Sequence, residues 1–342
     1  MTRGALVLTL LAFGAAQAPA PHWTPQASGV MARLRGVSAV SDRIAWASGA
    51  RGTILRTEDS GATWLPRPVP DTTGLDFRDI DAVDARTAYA LSIGNGEASR
   101  IYKTTDAGEH WDAQFLNKDP RVFLDAMIFA DARHGVVIGD SIDGQFYLLA
   151  TSDGGVTWTR ATGLPAALPN EGAFSASGSN IAIAGSNVWI GTGAATQARV
   201  LRSNDRGRTW SVSATPLTSN ASSGIFSVAF RDALHGVVVG GDYRQEKERS
   251  DNCALTSDGG VTWTLVTGPT GLSGYRSAVA FIPGPGATSL IAVGPAGADL
   301  STDDGRTWGP FESAGFDAIS LARTCATGWA TGASGKIARL ER

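Results

Sequence analysis

Cysteine and charge are both scarce in this chain of 342 residues. Two cysteines, Cys253 and Cys325, exclude a disulfide framework and a cysteine-rich metal site. Charged residues make up 18% of the sequence, against about a quarter in typical domains, and the formal net charge is −3. A protein that binds nucleic acid by neutralising phosphates needs a basic face, so the composition argues against that function.

Several sequence signatures are also missing. No Gly-x-Gly-x-x-Gly, P-loop or serine nucleophile elbow is found, so we expect no nucleotide or flavin cofactor. The four histidines are spread along the chain, and no metal site is expected. Beyond the N-terminus no apolar run reaches 18 residues, so the mature chain should not insert stably into a membrane.

The first residues have the features of an export signal. Arg3 precedes an apolar stretch from Ala5 to Ala16 that is too short to span a bilayer, and small residues follow it. We therefore expect residues 1–16 to be removed as a signal peptide, with cleavage between 16 and 20, and the protein to be periplasmic or secreted. An uncleaved N-terminal membrane anchor is the alternative.

Glycine and a short repeated pattern are abundant instead. The 42 glycines and the 43% of hydrophobic residues predict a packed core of short strands joined by tight turns. The eight-residue pattern Ser/Thr-x-Asp-x-Gly-x-Thr/His-Trp, which we call the template, occurs at 57–64, 104–111, 151–158, 203–210, 256–263 and 301–308. His22-Trp23 matches the end of a seventh copy. The template tryptophans are 41 to 53 residues apart, a period typical of propeller blades.

The template has a structural explanation. Its aspartate accepts hydrogen bonds within its own turn, its glycine takes a positive φ, and its tryptophan packs between adjacent sheets. Six copies cannot all belong to one active site. We therefore assign a structural role to Asp59, Asp106, Asp153, Asp205, Asp258 and Asp303.

The two ends of the chain complete each other. Each repeat contains four predicted strands, but the last one stops after three, at 316–322, 329–332 and 336–340. The fragment at His22-Trp23 supplies the missing strand and would remove the open edge. We predict an all-β, seven-bladed β-propeller of four-stranded antiparallel blades, formed as one domain by residues 22–342 and closed by the N-terminal strand. Six blades are the second choice.

The template resembles the Asp-box, or bacterial neuraminidase repeat. The chain from about residue 22 to 342 is similar to exported seven-bladed propellers related to the photosystem II stability and assembly factor. The terminal closure and the Gly-Gly-x-Thr-Trp endings at 154–158 and 259–263 carry this likeness. Sialidases, xyloglucan-degrading enzymes, sorting receptors and assembly factors share the repeat, so the resemblance implies the fold strongly and the chemistry weakly.

Propeller ligands usually bind around the axis on the face opposite the Asp-boxes, which we call the upper face. Aligned by repeat, the inner strands bring arginines from repeats 1, 2 and 6 together with acidic residues. Arginine suits carboxylate or phosphate, so we predict an anion-binding mouth formed by Arg35, Arg78, Arg276, Asp317, Asp79 and Asp125. The alternative is structural salt bridges, with Arg35 and Arg276 paired to Asp317, and Arg78 paired to Asp79 or Asp125.

A second interpretation is a hydrolase on the same face. Glu171, Tyr243, Asp140 and Asp242 are candidate catalytic residues, because with the arginines they match the residue types of a sialidase pocket. The stretch Phe77-Arg78-Asp79 matches the sialidase Phe/Tyr-Arg-Ile-Pro start only in part, since Asp79 replaces the isoleucine and no proline follows.

The favoured function is an exported, monomeric binding or assembly scaffold. Its upper face would dock a protein partner or a small anionic or carbohydrate ligand, with a sialidase-like glycoside hydrolase as the alternative. The charged loop 242–251 is expected to be solvated, with partner binding as the alternative. Cys253 and Cys325 fall on different repeats and are expected to be free thiols.

Overall fold

Seven four-stranded antiparallel sheets form a closed ring in the computed structural model, which describes residues 21–249, 251–284, 286–323 and 325–341. The predicted signal peptide, 1–16, lies outside the described residues. In the part of the chain that is described, no helix is long and apolar enough to cross a membrane. The seven-bladed β-propeller predicted from the repeats is confirmed, and the six-bladed alternative is wrong.

The first strand of each blade lies at the axis and the fourth at the rim. In chain order the strands are β1 His22–Gln26; β2 Leu34–Ala39, β3 Ala45–Gly49, β4 Thr53–Thr57 and β5 Leu65–Pro66 (blade 1); β6 Asp76–Ala82, β7 Ala88–Ile93, β8 Arg100–Thr104 and β9 Asp112–Leu116 (blade 2); β10 Leu124–Phe129, β11 Gly135–Ile142, β12 Gln145–Thr151 and β13 Thr159–Arg160 (blade 3); β14 Ile181–Ala184, β15 Asn187–Gly191, β16 Arg199–Ser203 and β17 Ser211–Ala214 (blade 4); β18 Ser223–Phe230, β19 Gly236–Asp242, β20 Cys253–Thr256 and β21 Thr264–Leu265 (blade 5); β22 Ala278–Phe281, β23 Leu290–Gly294, β24 Gly297–Ser301 and β25 Gly309–Glu312 (blade 6); and β26 Ala318–Leu321, β27 Gly328–Thr331 and β28 Ile337–Glu341 (blade 7). Gly96–Ala98 and Ala333–Gly335 form short 3-10 turns.

The N-terminal strand closes the ring as the outermost strand of blade 7. β1 pairs antiparallel with β28, from His22 opposite Glu341 to Gln26 opposite Ile337. Its Gln26 side-chain oxygen accepts hydrogen bonds from the indole nitrogens of Trp64, in blade 1, and Trp329, in blade 7. The same short strand therefore completes one blade and ties it to the next.

The template turns have the geometry expected from their residue types. In the first copy, the Asp59 carboxylate accepts hydrogen bonds from the backbone and hydroxyl of Thr63 and from the hydroxyl of Thr57. The other five copies repeat this pattern, with His110 in the threonine position of the second. The hydrogen bonds from Thr157 lower the pKa of Asp153 to about 2, so this turn holds an ionised carboxylate.

Side chains from neighbouring blades cover the inner strand edges. An edge strand exposes backbone N–H groups that need acceptors. Here serine hydroxyls and two carboxylates accept them across the seams, through Ala82 N to Ser38, Ala39 N to Ser320, Val279 N to Ser227, Met127 N to Asp79 and Phe129 N to Asp81. We call the side chains that make these contacts around the axis, Ser38, Ser227, Ser320, Asp79 and Asp81, the hub; within it Asp79 joins blades 2 and 3.

A segment of blade 4, residues 174–180, lies at the axis and bonds to blades on both sides of it. The Ser175 carbonyl accepts a hydrogen bond from Arg78 in blade 2, and the Ser177 hydroxyl donates to the Ser277 carbonyl in blade 6 at 2.8 Å. Gly178 has φ +73°, and a Cβ there would lie 2.2 Å from Oδ1 of Asp79. Only glycine allows the segment to approach the hub carboxylate so closely.

Deletion of residues 22–26 should lower the melting temperature markedly. It would remove the pairing with β28 and the packing of Trp23 on Phe311 and Phe316, and so reopen an edge. We expect a decrease on the order of 10 °C by differential scanning calorimetry, since loss of a packed tryptophan costs up to about 3–5 kcal/mol and the strand pairing is lost with it. Trp23→Phe, which keeps the strand, is the control; a deletion variant that melts like the parent would refute closure by β1.

The hub carboxylates should make stability depend on pH. Burial raises the pKa of Asp79 to about 8 and that of Asp81 to about 6, above the value of about 3.9 in an unfolded chain. The folded protein therefore holds these protons more tightly, and the resulting stability is lost as the pH rises through the folded pKa values. We expect the melting temperature to fall between about pH 5 and about pH 9, and to fall less in Asp79→Asn, which keeps an oxygen for Met127 N. Equal slopes in the two proteins would contradict this.

Candidate functional site

A depression of about 410 Å³ opens at the axis on the upper face, with the segment 174–176 as its floor. We call it the mouth. Three arginines line one side, namely Arg33, Arg35 and Arg78, and four aromatic residues line the other, namely Phe174, Phe226, Tyr243 and Tyr275. Two acidic residues, Glu246 and Asp317, lie between them. The mouth therefore combines a cationic wall with an aromatic one.

The three arginines differ in how their charges are compensated. Arg33 holds Asp317 in a two-pronged ion pair at 2.7 and 2.6 Å, and this hydrogen bonding raises the pKa of Arg33. Arg78 donates to Asp76 at 2.9 Å and to the Ser175 carbonyl. Arg35 has no hydrogen-bond or ion-pair partner among the described residues, and burial together with the nearby charges of Arg78 and Arg33 lowers its pKa. Of these three arginines, Arg35 is thus the one whose charge no hydrogen-bonded or ion-paired partner within the described residues offsets.

The aromatic wall is rigid at its base and exposed at its top. Phe174 stacks on Phe226 with centroids 4.0 Å apart, and Tyr275 packs edge-on against Phe226 at 4.7 Å. Tyr243 stands above them with 42% of its surface exposed. The loop that carries it is held by the hydrogen bond from Tyr275 N to the Glu246 carbonyl at 2.9 Å. Part of the charged loop therefore forms the rim of the mouth.

Arg276 lies outside the mouth because the repeat alignment is shifted by one residue in blade 6. Asp317 in blade 7 and Ser277 in blade 6 make the same backbone hydrogen bond just before their inner strands, so these two residues are equivalent. Arg276 comes one residue earlier and points between the sheets, 1% exposed, where it pairs with Asp299 at 2.7 Å. The polar side chain that blade 6 brings to the mouth is Ser277.

The expected salt bridges are therefore wrong in their partners. Asp317 pairs with Arg33, and not with Arg35 or Arg276. Arg78 pairs with Asp76, and not with Asp79 or Asp125. The alignment of the repeats did not include Arg33, because this residue comes just before the first residue of the inner strand β2. Arg33 directly precedes the positions that were aligned, which begin at Leu34.

The buried Asp125 and the half-buried Asp140 form an acidic pair in blade 3. Burial and the neighbouring Asp140 raise the pKa of Asp125 well above its usual value, and one of its carboxyl oxygens has no hydrogen-bond partner within the described residues. Burial also raises the pKa of Asp140 to about 6. Neither residue lines the mouth.

The four hydrolase candidates do not meet in one pocket. Glu171 is buried and binds Arg199 through both oxygens, the Thr192 hydroxyl at 2.6 Å and the backbone of Leu168. The Asp242 carboxylate caps its own loop by accepting a hydrogen bond from Arg244 N. Tyr243 lines the mouth, but Glu171, Asp140 and Asp242 do not.

The described residues contain no group of three or more His, Cys, Asp or Glu arranged to hold a metal ion. Cys253 and Cys325 are unpaired, and burial raises the pKa of the Cys253 thiol to about 12. His134 and His235 each bind an aspartate in a surface turn, Asp131 and Asp232. The two histidines therefore have local structural partners, and none of these four residues lines the mouth.

The chain is thus a seven-bladed β-propeller with an arginine-lined axial mouth, and no family model matches it. Over 117 residues, 33% of the chain, it is 32% identical to the chloroplastic photosystem II stability/assembly factor HCF136 of Arabidopsis thaliana. The match spans only 27% of that protein's length. The predicted likeness to propellers related to the photosystem II stability and assembly factor is confirmed.

Solved structures extend the similarity to the whole fold. YCF48 bound to D1 peptide matches with a TM-score of 0.65 at 17% identity, over 96% of this chain and 99% of that one. YCF48 from Cyanidioschyzon merolae gives 0.64 at 15%, over 93% and 98%. The GH74 enzyme of Niastella koreensis gives 0.63 at 17%, over 92% of this chain and 53% of the enzyme. At these identities the likeness shows the fold alone.

Glu171→Gln should act mainly on stability. The substitution removes the charge that balances Arg199 inside blade 4, and breaking a buried pair costs about 3 kcal/mol. We expect the melting temperature to drop on the order of 5–10 °C, measured by circular dichroism. Asp143→Asn, which breaks the exposed pair with Arg121, is the control and should change it little. A fully stable Glu171→Gln protein would contradict the structural role.

Proposed function

We propose that this protein is an exported binding scaffold that holds a carboxylate-bearing segment of a partner protein in the axial mouth. The observation that carries the proposal is Arg35, a half-buried guanidinium that lies beside Arg33 and Arg78 and has no ion-pair partner among the residues that the structure describes. A partly desolvated cation is costly until an anion pairs with it. A carboxylate seated here would make charge-assisted hydrogen bonds in a site already shaped to receive them.

The opposite wall favours a peptide over a small inorganic anion. Phe174 and Tyr243 offer apolar and aromatic surface next to the cations, which suits a chain segment that carries both a carboxylate and an apolar side chain. The structure of YCF48, which matches nearly all of this chain in fold, was solved with a bound D1 peptide. A propeller of this shape is therefore able to hold a peptide. This precedent supports a protein partner for the present chain.

The export of the chain is part of the same proposal. It rests on Arg3 and the apolar stretch from Ala5 to Ala16, followed by small residues. A scaffold of this kind would meet its partner in the periplasm or outside the cell.

The arginine mouth generates a direct binding prediction. A fluorescein-labelled peptide with three consecutive glutamates and a free C-terminal carboxylate should bind the parent protein, measured by fluorescence anisotropy. Arg35→Gln should weaken binding about tenfold, or about 1.4 kcal/mol, because it removes one charge-assisted contact. Increasing the salt concentration should weaken binding to the parent protein and reduce the difference in affinity between the parent and Arg35→Gln.

Arg51→Gln is the matched control for this experiment. Arg51 is exposed in the turn between β3 and β4, on the same face as the mouth, but it does not line the mouth. Its substitution removes the same charge and should leave binding unchanged. Equal losses of affinity in Arg35→Gln and Arg51→Gln would show that binding depends only on the overall charge of this face. That result would reject the mouth as the binding site.

The hydrolase alternative is tested on the same preparations. The separation of Glu171 and Asp242 from the mouth disfavours it, since acid–base hydrolysis needs two carboxyl groups on opposite sides of one bond. We expect no turnover of a panel of fluorogenic glycosides by the parent protein. Turnover that is lost in Asp140→Asn would establish an enzyme and overturn the scaffold proposal.

A further inference from the structure

A second groove lies between blades 3 and 4 on the face that carries the template turns. It has a volume of about 310 Å³, and Val136 and Ile183 line it together with small residues and with Arg206 and Arg208. The groove is separate from the mouth, and its role is independent of the function proposed for the mouth.

The groove lies where other seams of the ring hold a pair of stacked rings. Between blades 2 and 3, Tyr89 stacks on Phe129 with centroids 3.7 Å apart, and between blades 4 and 5, Trp189 stacks on Phe230 at 3.6 Å. Strand pairing makes Val136 equivalent to Tyr89 and Trp189, because each pairs with the residue just before a template. The same registers make Ile183 equivalent to Phe129 and Phe230. Two aliphatic side chains fill less space than two rings, which leaves the groove.

In each stacked pair, the ring from the second strand, Tyr89 or Trp189, also makes a polar contact. The Tyr89 hydroxyl donates to the Gly154 carbonyl at 2.9 Å, and the Trp189 indole donates to the Gly259 carbonyl at 2.8 Å. Both carbonyls belong to the fourth residue of a template, and in blade 4 that residue is Arg206. Val136 has no donor to offer, and the Arg206 carbonyl accepts no hydrogen bond from the described residues. The groove therefore presents a carbonyl oxygen that is free within the described part of the chain, that of Arg206. In the two neighbouring seams the equivalent carbonyl oxygen accepts a hydrogen bond from an aromatic side chain.

The side chains that line the groove carry a net positive charge. Arg206 and Arg208 are exposed, their side chains have no ion-pair partner within the described residues, and no aspartate or glutamate lines the groove. In blade 6 the residue equivalent to Arg206 is Asp304, which pairs with Arg231. The excess of cations thus belongs to the seam between blades 3 and 4, and it complements an acidic ligand.

We propose that this groove binds a tyrosine or tryptophan side chain in an acidic segment of a partner protein. The ring lies on Val136 and Ile183 in the position that Tyr89 and Trp189 occupy in their seams. Its hydroxyl or indole N–H donates to the Arg206 carbonyl, and the flanking carboxylates pair with the guanidinium groups of Arg206 and Arg208. An aromatic anchor in an apolar seat with a charged rim is the usual composition of an energetic hot spot.

The probe for this site is a fluorescein-labelled heptapeptide with a central tyrosine and three glutamates on each side, capped at both ends to remove the terminal carboxylate. We expect it to bind the parent protein in an anisotropy titration, and to lose about tenfold in affinity when the tyrosine is replaced by alanine or the glutamates by lysine. No binding by the parent, or equal binding of the alanine peptide, would overturn the proposal.

Protein variants locate the site. Val136→Tyr supplies the missing ring within the chain and should abolish binding while the protein stays folded. If that variant does not fold, Arg206→Glu combined with Arg208→Glu should weaken binding at least about tenfold through the surface charges alone. Arg306→Glu, at the position of Arg208 in blade 6, is the matched control and should bind like the parent. A loss in Arg306→Glu equal to that of the double variant, or a loss confined to Arg35→Gln, would place the peptide elsewhere and refute the assignment.

Discussion

Closure of the ring by the pairing of β1 with β28 is the constraint on which the rest of the structure depends. Seven sheets arranged around an axis leave open edges unless the first and last are joined, and here five residues of the N-terminus complete blade 7. Gln26 then links Trp64 and Trp329 across the junction of blades 7 and 1. Without this junction Arg33 would not face Asp317, and the mouth would lose the ion pair that orders its cationic wall.

Within the closed ring, the axis is filled by polar groups whose hydrogen bonds run between blades. Ser227 and Asp79 accept backbone N–H groups of the next inner strand, and the segment 174–180 is bonded to blades on both sides of the channel. The floor of the mouth is therefore held by hydrogen bonds from several blades, and the proposed ligand would rest on this floor. Rigidity of this kind lowers the entropic cost of binding, which suits a scaffold.

The repeats predict the blades well and the site less well, for a physical reason. A template tryptophan marks its own turn and recurs with the period of a blade, so the count of blades follows from the spacing, and the terminal closure follows from the strand that the last repeat lacks. The direction of a side chain near the axis depends on whether the inner strand contains a β-bulge. One residue more or less moves the side chain to the other face of the sheet. Arg276 shows the effect, because it looks equivalent to Arg35 in sequence but pairs with Asp299 between sheets. Glu171 likewise looks catalytic by residue type, yet its partner Arg199 lies 28 residues away in the chain.

The sequence by itself determined the seven blades, the template turns and the strand that joins the two termini, because these features depend on short-range patterns and a regular period. The tertiary structure alone decided which charges remain without partners. Arg35 is left beside Arg33 and Arg78, and Arg206 and Arg208 border a groove beside Val136. Whether a charge is compensated depends on distances between blades, which are set only when the ring has closed.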